Sequence, residues 1–175
     1  MRVPKLGNVP RLTFLLSDLV AEEAAAAFAE HERRIRERLP DVEIRHTGGT
    51  SVPGVLTTGD VDLQVRTDKQ SFETARDVLC ELYEPHCAEV WHSEGAFFVA
   101  PSTQPPVEVA LTAIGSVDDL HHGEAWQRIA ADQDLVERYN ALKREHEGGS
   151  ADDYQAAKRD LPRELPALAR VAALP

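Results

Sequence analysis

The sequence is poor in cysteine, in basic residues and in long hydrophobic runs. Its two cysteines, Cys80 and Cys87, provide neither a disulfide framework nor a zinc-ligand spacing. The alanine-rich stretch from Ala24 to Ala27 is too short, and too closely flanked by glutamates, to span a bilayer. The first residues lack the apolar core of a signal peptide. We therefore expect a cytoplasmic protein with no membrane partner.

Basic residues are outnumbered by acidic ones. The 19 lysines and arginines face 30 aspartates and glutamates, which gives a formal net charge of −11. Such a surface repels phosphate backbones, so nonspecific nucleic-acid binding is not expected. A nucleotide remains compatible, because a bound divalent cation or a local basic pocket can reverse the field. The alternative is that the charge serves only solubility.

The remaining composition is that of an ordinary globular domain. With 175 residues, 42% of them hydrophobic and 28% charged, the chain can bury a hydrophobic core without needing disulfides or a structural metal. We predict one domain over residues 1–175. It would begin with an irregular lead-in over 1–16, which contains two prolines, and end in a helical part from about residue 117 to 175.

Hydrophobic periodicity predicts a mixed sheet flanked by helices, an α/β (α+β) class. Thr67 and Gln70 have the form of a capping box for the second helix, and Ser93–Gly95 has the form of a hairpin turn. The predicted helices are Asp18–Leu39, Asp68–Tyr83 and those after Val117; the predicted strands are Val42–His46, Asp60–Val65, Ala88–His92, Ala96–Ala100 and Val107–Ala113, with a loop at Thr47–Gly59.

A glycine-rich loop precedes a strand that carries two aspartates. Gly48 and Gly49 would let backbone N–H groups approach phosphate oxygens, and the hydroxyls of Thr50 and Ser51 could donate to the same oxygens. Asp60 and Asp62 are two residues apart on a strand, so they share a face. Two carboxylates beside a phosphate loop suit Mg²⁺ or Mn²⁺ bound to nucleotide phosphates.

Glu108 is the candidate third carboxylate. It is the single charge on the strand Val107–Ala113, and its neighbours Val107 and Val109 face the other way. If this strand pairs beside Asp60–Val65, Glu108 would approach both aspartates and complete a site for two ions and in-line nucleotidyl transfer.

Each motif also has a simpler interpretation. A loop of this composition is usually only a turn, and alternating aspartates are usually a solvated face. Lys143 and Lys158 could bind phosphates, although a lysine on a helix is more often only solvated. His46 is expected to close its strand by hydrogen bonding, His121 and His122 to lie at the surface, and the tryptophans, Tyr139 and Tyr154 to serve packing.

The segment His46–Gly54 resembles the histidine-x-glycine-serine-threonine-serine-valine-proline-glycine signature of the GrpB family. The aspartate strand follows at the family's spacing, and the helical part carries Tyr139–Lys143 and Tyr154–Lys158, similar to the family's tyrosine and lysine pattern. Gly115–Ser116 follows the third strand. The resemblance runs from about residue 17 to 165 and implies the fold of the polymerase-beta-like nucleotidyltransferase superfamily.

The chain departs from that signature at three places. Gly49 stands where the family has serine, so the hydroxyl that would hold a terminal phosphate is missing beside Thr50. Glu108-Val109-Ala110 replaces a histidine-x-histidine, which moves the strand toward the acidic pattern of the superfamily. Trp126-Gln127 stands where an arginine-aspartate pair is expected.

The first hypothesis is a Mg²⁺-dependent nucleotidyltransferase that moves a nucleoside monophosphate from a nucleoside triphosphate to an unknown small molecule or protein. Asp60, Asp62 and Glu108 would be catalytic and bind metal. The alternative is a weak or inactive module on the same fold that binds a nucleotide or a protein. A purely structural role is disfavoured, because three converging carboxylates repel one another without a cation.

Overall fold

A five-stranded mixed sheet forms the centre of the protein. In this computed structural model, which describes residues 12–150 and 153–154, its strands are β2 (Glu43–Thr47), β4 (Val61–Thr67), β5 (Glu84–His86), β6 (Gly95–Ala100) and β7 (Val107–Ala113). They lie in the order β2-β4-β7-β6-β5, and a separate pair consists of β1 (Leu15–Leu16) and β3 (Leu56–Thr57).

The parallel pair at the centre of the sheet decides where the site lies. β4 and β7 run parallel with Asp62 opposite Glu108, whereas the other sheet pairings are antiparallel. Alternation then divides each strand between two faces: Val61, Leu63 and Val65 are buried on one face, and Asp62, Gln64 and Arg66 lie on the other.

Helices α1 (Ala21–Arg36) and α2 (Phe72–Leu82) cover the apolar face. Ile35, Phe72 and Leu79 are buried there against Leu63 and Leu111. On the opposite face, α3 (Val117–Ala131) and α4 (Gln133–Glu145) pack through a smaller cluster that contains Val52, Val55, Ala125, Ile129, Val136 and Tyr139. The predicted mixed sheet flanked by helices is confirmed.

A buried ion pair fastens α3 to the polar face of the sheet. Asp119, 2% exposed, accepts hydrogen bonds from Nε of Arg66 at 2.5 Å, from Gln64 Nε2 at 3.1 Å and from the Gly115 N–H at 2.8 Å. Burial alone would raise the pKa of Asp119, but the Arg66 and Gly115 hydrogen bonds lower it on balance. The bonded carboxylate therefore fixes the start of α3 over the strand that carries Asp62.

Three predicted elements were wrong in detail. Asp68 accepts bonds from the Gln70 and Ser71 N–H groups in a turn, so the second helix begins at Phe72 and the capping box at Thr67 does not form. Residues 88–90 form a 3₁₀ turn instead of the predicted strand, and Glu84–His86 is the edge strand beside β6. Within the predicted irregular lead-in, Leu15 pairs with Thr57 and Leu16 with Leu56.

Other expectations agree with the described structure. Cys80 lies in α2 and Cys87 in the loop after β5. Helices follow from Val117 as expected, although the predicted helical residues after 154 lie outside the described part of the chain. Among the described helices, none combines the length and the apolar character that crossing a bilayer requires.

Candidate functional site

Three carboxylates meet at the edge of the polar face. Asp60 precedes β4, Asp62 is its second residue, and Glu108 lies beside Asp62 on β7. One oxygen from each lies within 4.8 Å of the others, with the aspartates half-buried and Glu108 exposed. The structure thus brings together the three carboxylates named from the sequence, and the parallel register of β4 and β7 is the reason.

The donor set suits a hard divalent cation. Oxygen ligands from several carboxylates are what Mg²⁺ and Mn²⁺ prefer, and three negative charges at this separation repel without a cation between them. The residues present therefore fit such an ion. Its binding stays a prediction, as do the roles of the three side chains.

The glycine loop is packed directly onto this acidic cluster. Gly48 has a φ of 74°, and a β-carbon there would stand 1.6 Å from Oδ2 of Asp62. Glycine is required at position 48 for both reasons, since other residues rarely adopt this backbone and any side chain would collide with the carboxylate. The loop and the carboxylate cluster are therefore one packed unit.

The hydroxyls of the loop are directed into the loop itself. Thr50 Oγ1 donates to the Asp60 carbonyl at 3.0 Å, and Ser51 Oγ donates to the Gly48 carbonyl at 2.7 Å. Each hydroxyl carries a single proton, so in this conformation neither donates to a phosphate. Thr50 and Ser51 hold the loop against β4, and their predicted phosphate contacts stay a prediction.

His46 supports the loop from β2. Its Nε2 lies 3.0 Å from Thr50 Oγ1, and its ring stacks on Phe28 at 5.1 Å between centroids. Because Thr50 gives its own proton to a carbonyl, Nε2 of His46 must carry the hydrogen and donate. Burial lowers the pKa of His46, so the ring is neutral near pH 7.

A cavity of about 450 Å³ opens over the carboxylates, a size in the range of small-molecule sites. Its floor is polar and acidic, and its walls are rich in aromatic side chains. Those walls include Phe14, His86, Phe97, His122, Trp126, Tyr139 and Tyr154. The acidic floor repels an anion unless a cation lies between them, and the rings offer flat surfaces for stacking.

Lys143 lies in the cavity wall and is only 5% exposed. Its Nζ donates to the Leu56 carbonyl at 2.5 Å and stands 4.6 Å from the Tyr139 ring centroid. One helical turn before, Asn140 bonds both the Leu56 N–H and the Gly54 carbonyl. Lys143 thus helps to hold the loop from α4, whereas Lys158 lies outside the described residues.

Sequence reasoning missed two cavity residues and understated another. His122 was expected at the surface and Trp126 in simple packing, yet both line the cavity. Tyr139 does pack, but it also faces the acidic floor: burial raises its pKa well above the ordinary value, and Tyr154 and the carboxylates add to that effect. The i, i+4 spacing of His122 and Trp126 was the available signal, because such residues share a helix face.

Comparison with known proteins identifies relatives of this chain. The family model described as GrpB protein matches residues 20–166. A UPF0157 protein of Vibrio cholerae is 25% identical over 147 residues, which cover 84% of this chain and 78% of that protein.

Solved structures show the same fold. Conserved protein GrpB from Enterococcus faecalis superposes with a TM-score of 0.65 at 18% identity, over 85% of this chain and 94% of that one. The Cid1 poly(U) polymerase with MgGTP bound gives 0.51 at 16% identity, over 74% of this chain but only 42% of the polymerase. At these identities the likeness establishes a nucleotidyltransferase-like fold and nothing finer.

Proposed function

The chain belongs to the GrpB family, and we propose that it is a Mg²⁺- or Mn²⁺-dependent nucleotidyltransferase acting on a nucleoside triphosphate. The observation that carries the proposal is the convergence of Asp60, Asp62 and Glu108 within 4.8 Å beneath the cavity. Gly48 and Gly49 form the adjoining loop. The match of fold to a polymerase solved with MgGTP supports the same class of ligand.

The chemistry assigned to the chain is modest. Asp60, Asp62 and Glu108 would hold the cation, which supplies charge neutralisation for the phosphates and for the departing pyrophosphate. An acceptor hydroxyl would attack the α-phosphorus, and the bond from that phosphorus to the pyrophosphate oxygen would break. Glu108 is the exposed member of the three and the one we propose to take the acceptor's proton.

The aromatic wall would receive the base. Stacking on an aromatic ring tolerates every base, so this wall supports nucleotide binding without fixing base preference. The acceptor is a small molecule or a protein; the net charge of −11 argues against nonspecific nucleic acid.

A second function has an observation in its favour. The Thr50 and Ser51 hydroxyls donate to backbone carbonyls, and Gly49 has no hydroxyl. A loop with so few side-chain donors is consistent with a module that binds nucleotide or protein and turns over slowly or not at all.

Turnover separates the two functions. The protein is incubated with each α-³²P-labelled nucleoside triphosphate, Mg²⁺ or Mn²⁺ and a cell extract of small molecules and proteins, and released pyrophosphate and labelled products are measured. Transfer that is lost in Asp62→Asn supports the enzyme. Metal-dependent triphosphate binding without pyrophosphate release would favour the binding module.

A further inference from the structure

Thr57 occupies the space that a side chain at position 49 would need. A β-carbon on Gly49 would stand 3.1 Å from both Cβ and Oγ1 of Thr57, which is shorter than an ordinary van der Waals contact. Gly49 does not have a positive φ, so its backbone would accept another residue. What opposes a side chain at position 49 is therefore the Thr57 side chain itself.

The Thr57 hydroxyl has a proton to offer. It is 2% exposed and lines the cavity together with Gly48, Gly49 and Asp62. Its oxygen accepts the Gly59 N–H at 3.0 Å, and within the described residues no acceptor receives its own hydrogen. A buried hydroxyl donor without an acceptor is costly unless a ligand completes it.

The position of Thr57 is fixed on both sides. Its backbone pairs with Leu15 in the short β1–β3 sheet. The preceding residue, Leu56, is bonded through its N–H by Asn140 and through its carbonyl by Lys143. A donor held this firmly loses little entropy when a ligand binds.

From these contacts we propose that Thr57 donates to a phosphate oxygen of the bound nucleotide and so supplies the hydroxyl that Gly49 lacks. The inference rests on the proposed nucleotide binding. It makes positions 49 and 57 alternatives: a hydroxyl can stand at one or the other, and both together crowd the loop.

The test is a cycle of variants whose triphosphate affinity is measured by titration calorimetry with Mg²⁺, using the nucleotide that wild type binds best. Thr57→Ala is expected to lower the affinity for the triphosphate about tenfold, because one hydrogen bond to a charged oxygen is lost. The affinity for the corresponding nucleoside should not change. Gly49→Ser alone should also lower the affinity for the triphosphate, because the serine side chain crowds Thr57. The double variant Gly49→Ser/Thr57→Ala loses the contact with Oγ1 and keeps only the contact with the β-carbon, which a shift of a few tenths of an ångström relieves. Its affinity should return to within about threefold of wild type.

The double variant separates donation from a structural role. It lacks the oxygen that accepts the Gly59 N–H, as Thr57→Ala does, and differs from Thr57→Ala only in the serine side chain at position 49. Gly49→Ala/Thr57→Ala adds the β-carbon without the hydroxyl and should stay as weak as Thr57→Ala. Thr57→Ser keeps the hydroxyl and should retain affinity. Equal affinity of Thr57→Ala and wild type, or no recovery in a folded double variant, would overturn the inference while nucleotide binding stands. A wild-type protein that binds no triphosphate would overturn both.

Discussion

The α-carbon of Gly48 lies against the carboxylate of Asp62, so closely that a β-carbon at position 48 would stand 1.6 Å from Asp62 Oδ2. This contact joins the glycine loop to the carboxylate cluster. It means that the conformation of the loop and the position of the Asp62 carboxylate cannot change independently.

Gly48→Ala should therefore displace Asp62 as well as strain the backbone. Gly54→Ala is the matched control, because Gly54 has a similar φ of 77° but nothing within 4 Å of a β-carbon. The control should lose about 1–2 kcal/mol of unfolding free energy, and Gly48→Ala about 1–3 kcal/mol more. Only Gly48→Ala should lose Mn²⁺ binding in a calorimetric titration. Equal behaviour of the two variants would mean that the Asp62 contact is unimportant.

Neutralising the aspartates should not harm the metal-free fold. Asp60→Asn/Asp62→Asn relieves repulsion around the cluster, and an asparagine oxygen at position 60 can still accept from the Thr58 hydroxyl that bonds Asp60. Urea unfolding in EDTA should give an equal or higher midpoint than wild type. A loss of more than about 2 kcal/mol would assign the pair to structure.

Asp119 should behave in the opposite way. Removing its charge in Asp119→Asn leaves the largely buried Arg66 with only the exposed Glu43 carboxylate as an ion-pair partner and should cost about 1.5–3 kcal/mol. Asp77→Asn removes the exposed partner of Arg76 and should cost less than about 1 kcal/mol. Chemical denaturation of the two variants side by side measures the difference, and similar losses would contradict the role of the buried pair.

The lowered pKa of Asp119 should make the stability of the protein depend on pH in acid. Because the pKa of Asp119 is lowered on folding, its contribution is complete above the ordinary aspartate pKa of about 4 and is lost as the pH falls through the lowered folded value. Wild type should lose stability steeply below about pH 4, and Asp119→Asn less steeply. Parallel stability–pH curves would refute this assignment.

His46 should titrate below an ordinary histidine. Burial lowers the pKa of His46, so below about pH 6.5 the unfolded chain binds more protons at this residue than the folded protein does. The free energy of unfolding therefore decreases as the pH drops below that value. NMR titration of the ring should give a lower midpoint in the native protein than in urea, and ¹⁵N shifts should report a proton on Nε2. A proton on Nδ1 at neutral pH would contradict the donation to Thr50.

The sequence predicts those parts of the molecule that depend on the alternation of apolar and polar residues along a strand. Asp62 and Glu108 could be assigned to one site because each interrupts a strand of apolar neighbours, and β7 has the predicted bounds, Val107–Ala113. Asp60 was predicted on the same strand as Asp62, but it immediately precedes β4. The family signature at His46–Gly54 also led to the right fold.

Features that depend on tertiary contacts were not accessible in the same way. The start of α2 is a local exception: Asp68 forms an Asx turn that competes with a capping box built from similar residues, and the helix begins at Phe72. His122 looked like a surface residue until α3 was seen to lie over the polar face. The closeness of Gly49 to Thr57 depends on the fold of the loop, which no spacing reveals.

The central claim is that Asp60, Asp62 and Glu108 hold a divalent cation that binds nucleotide phosphates. Its most direct test is the thermal midpoint of wild type and Asp62→Asn with each nucleoside triphosphate, with and without Mg²⁺. We predict that one or more triphosphates raise the wild-type midpoint by about 5–10 °C at saturating concentration, only with Mg²⁺ present, and leave Asp62→Asn unchanged. No shift with any triphosphate, or the same shift without Mg²⁺ or in Asp62→Asn, would contradict the claim.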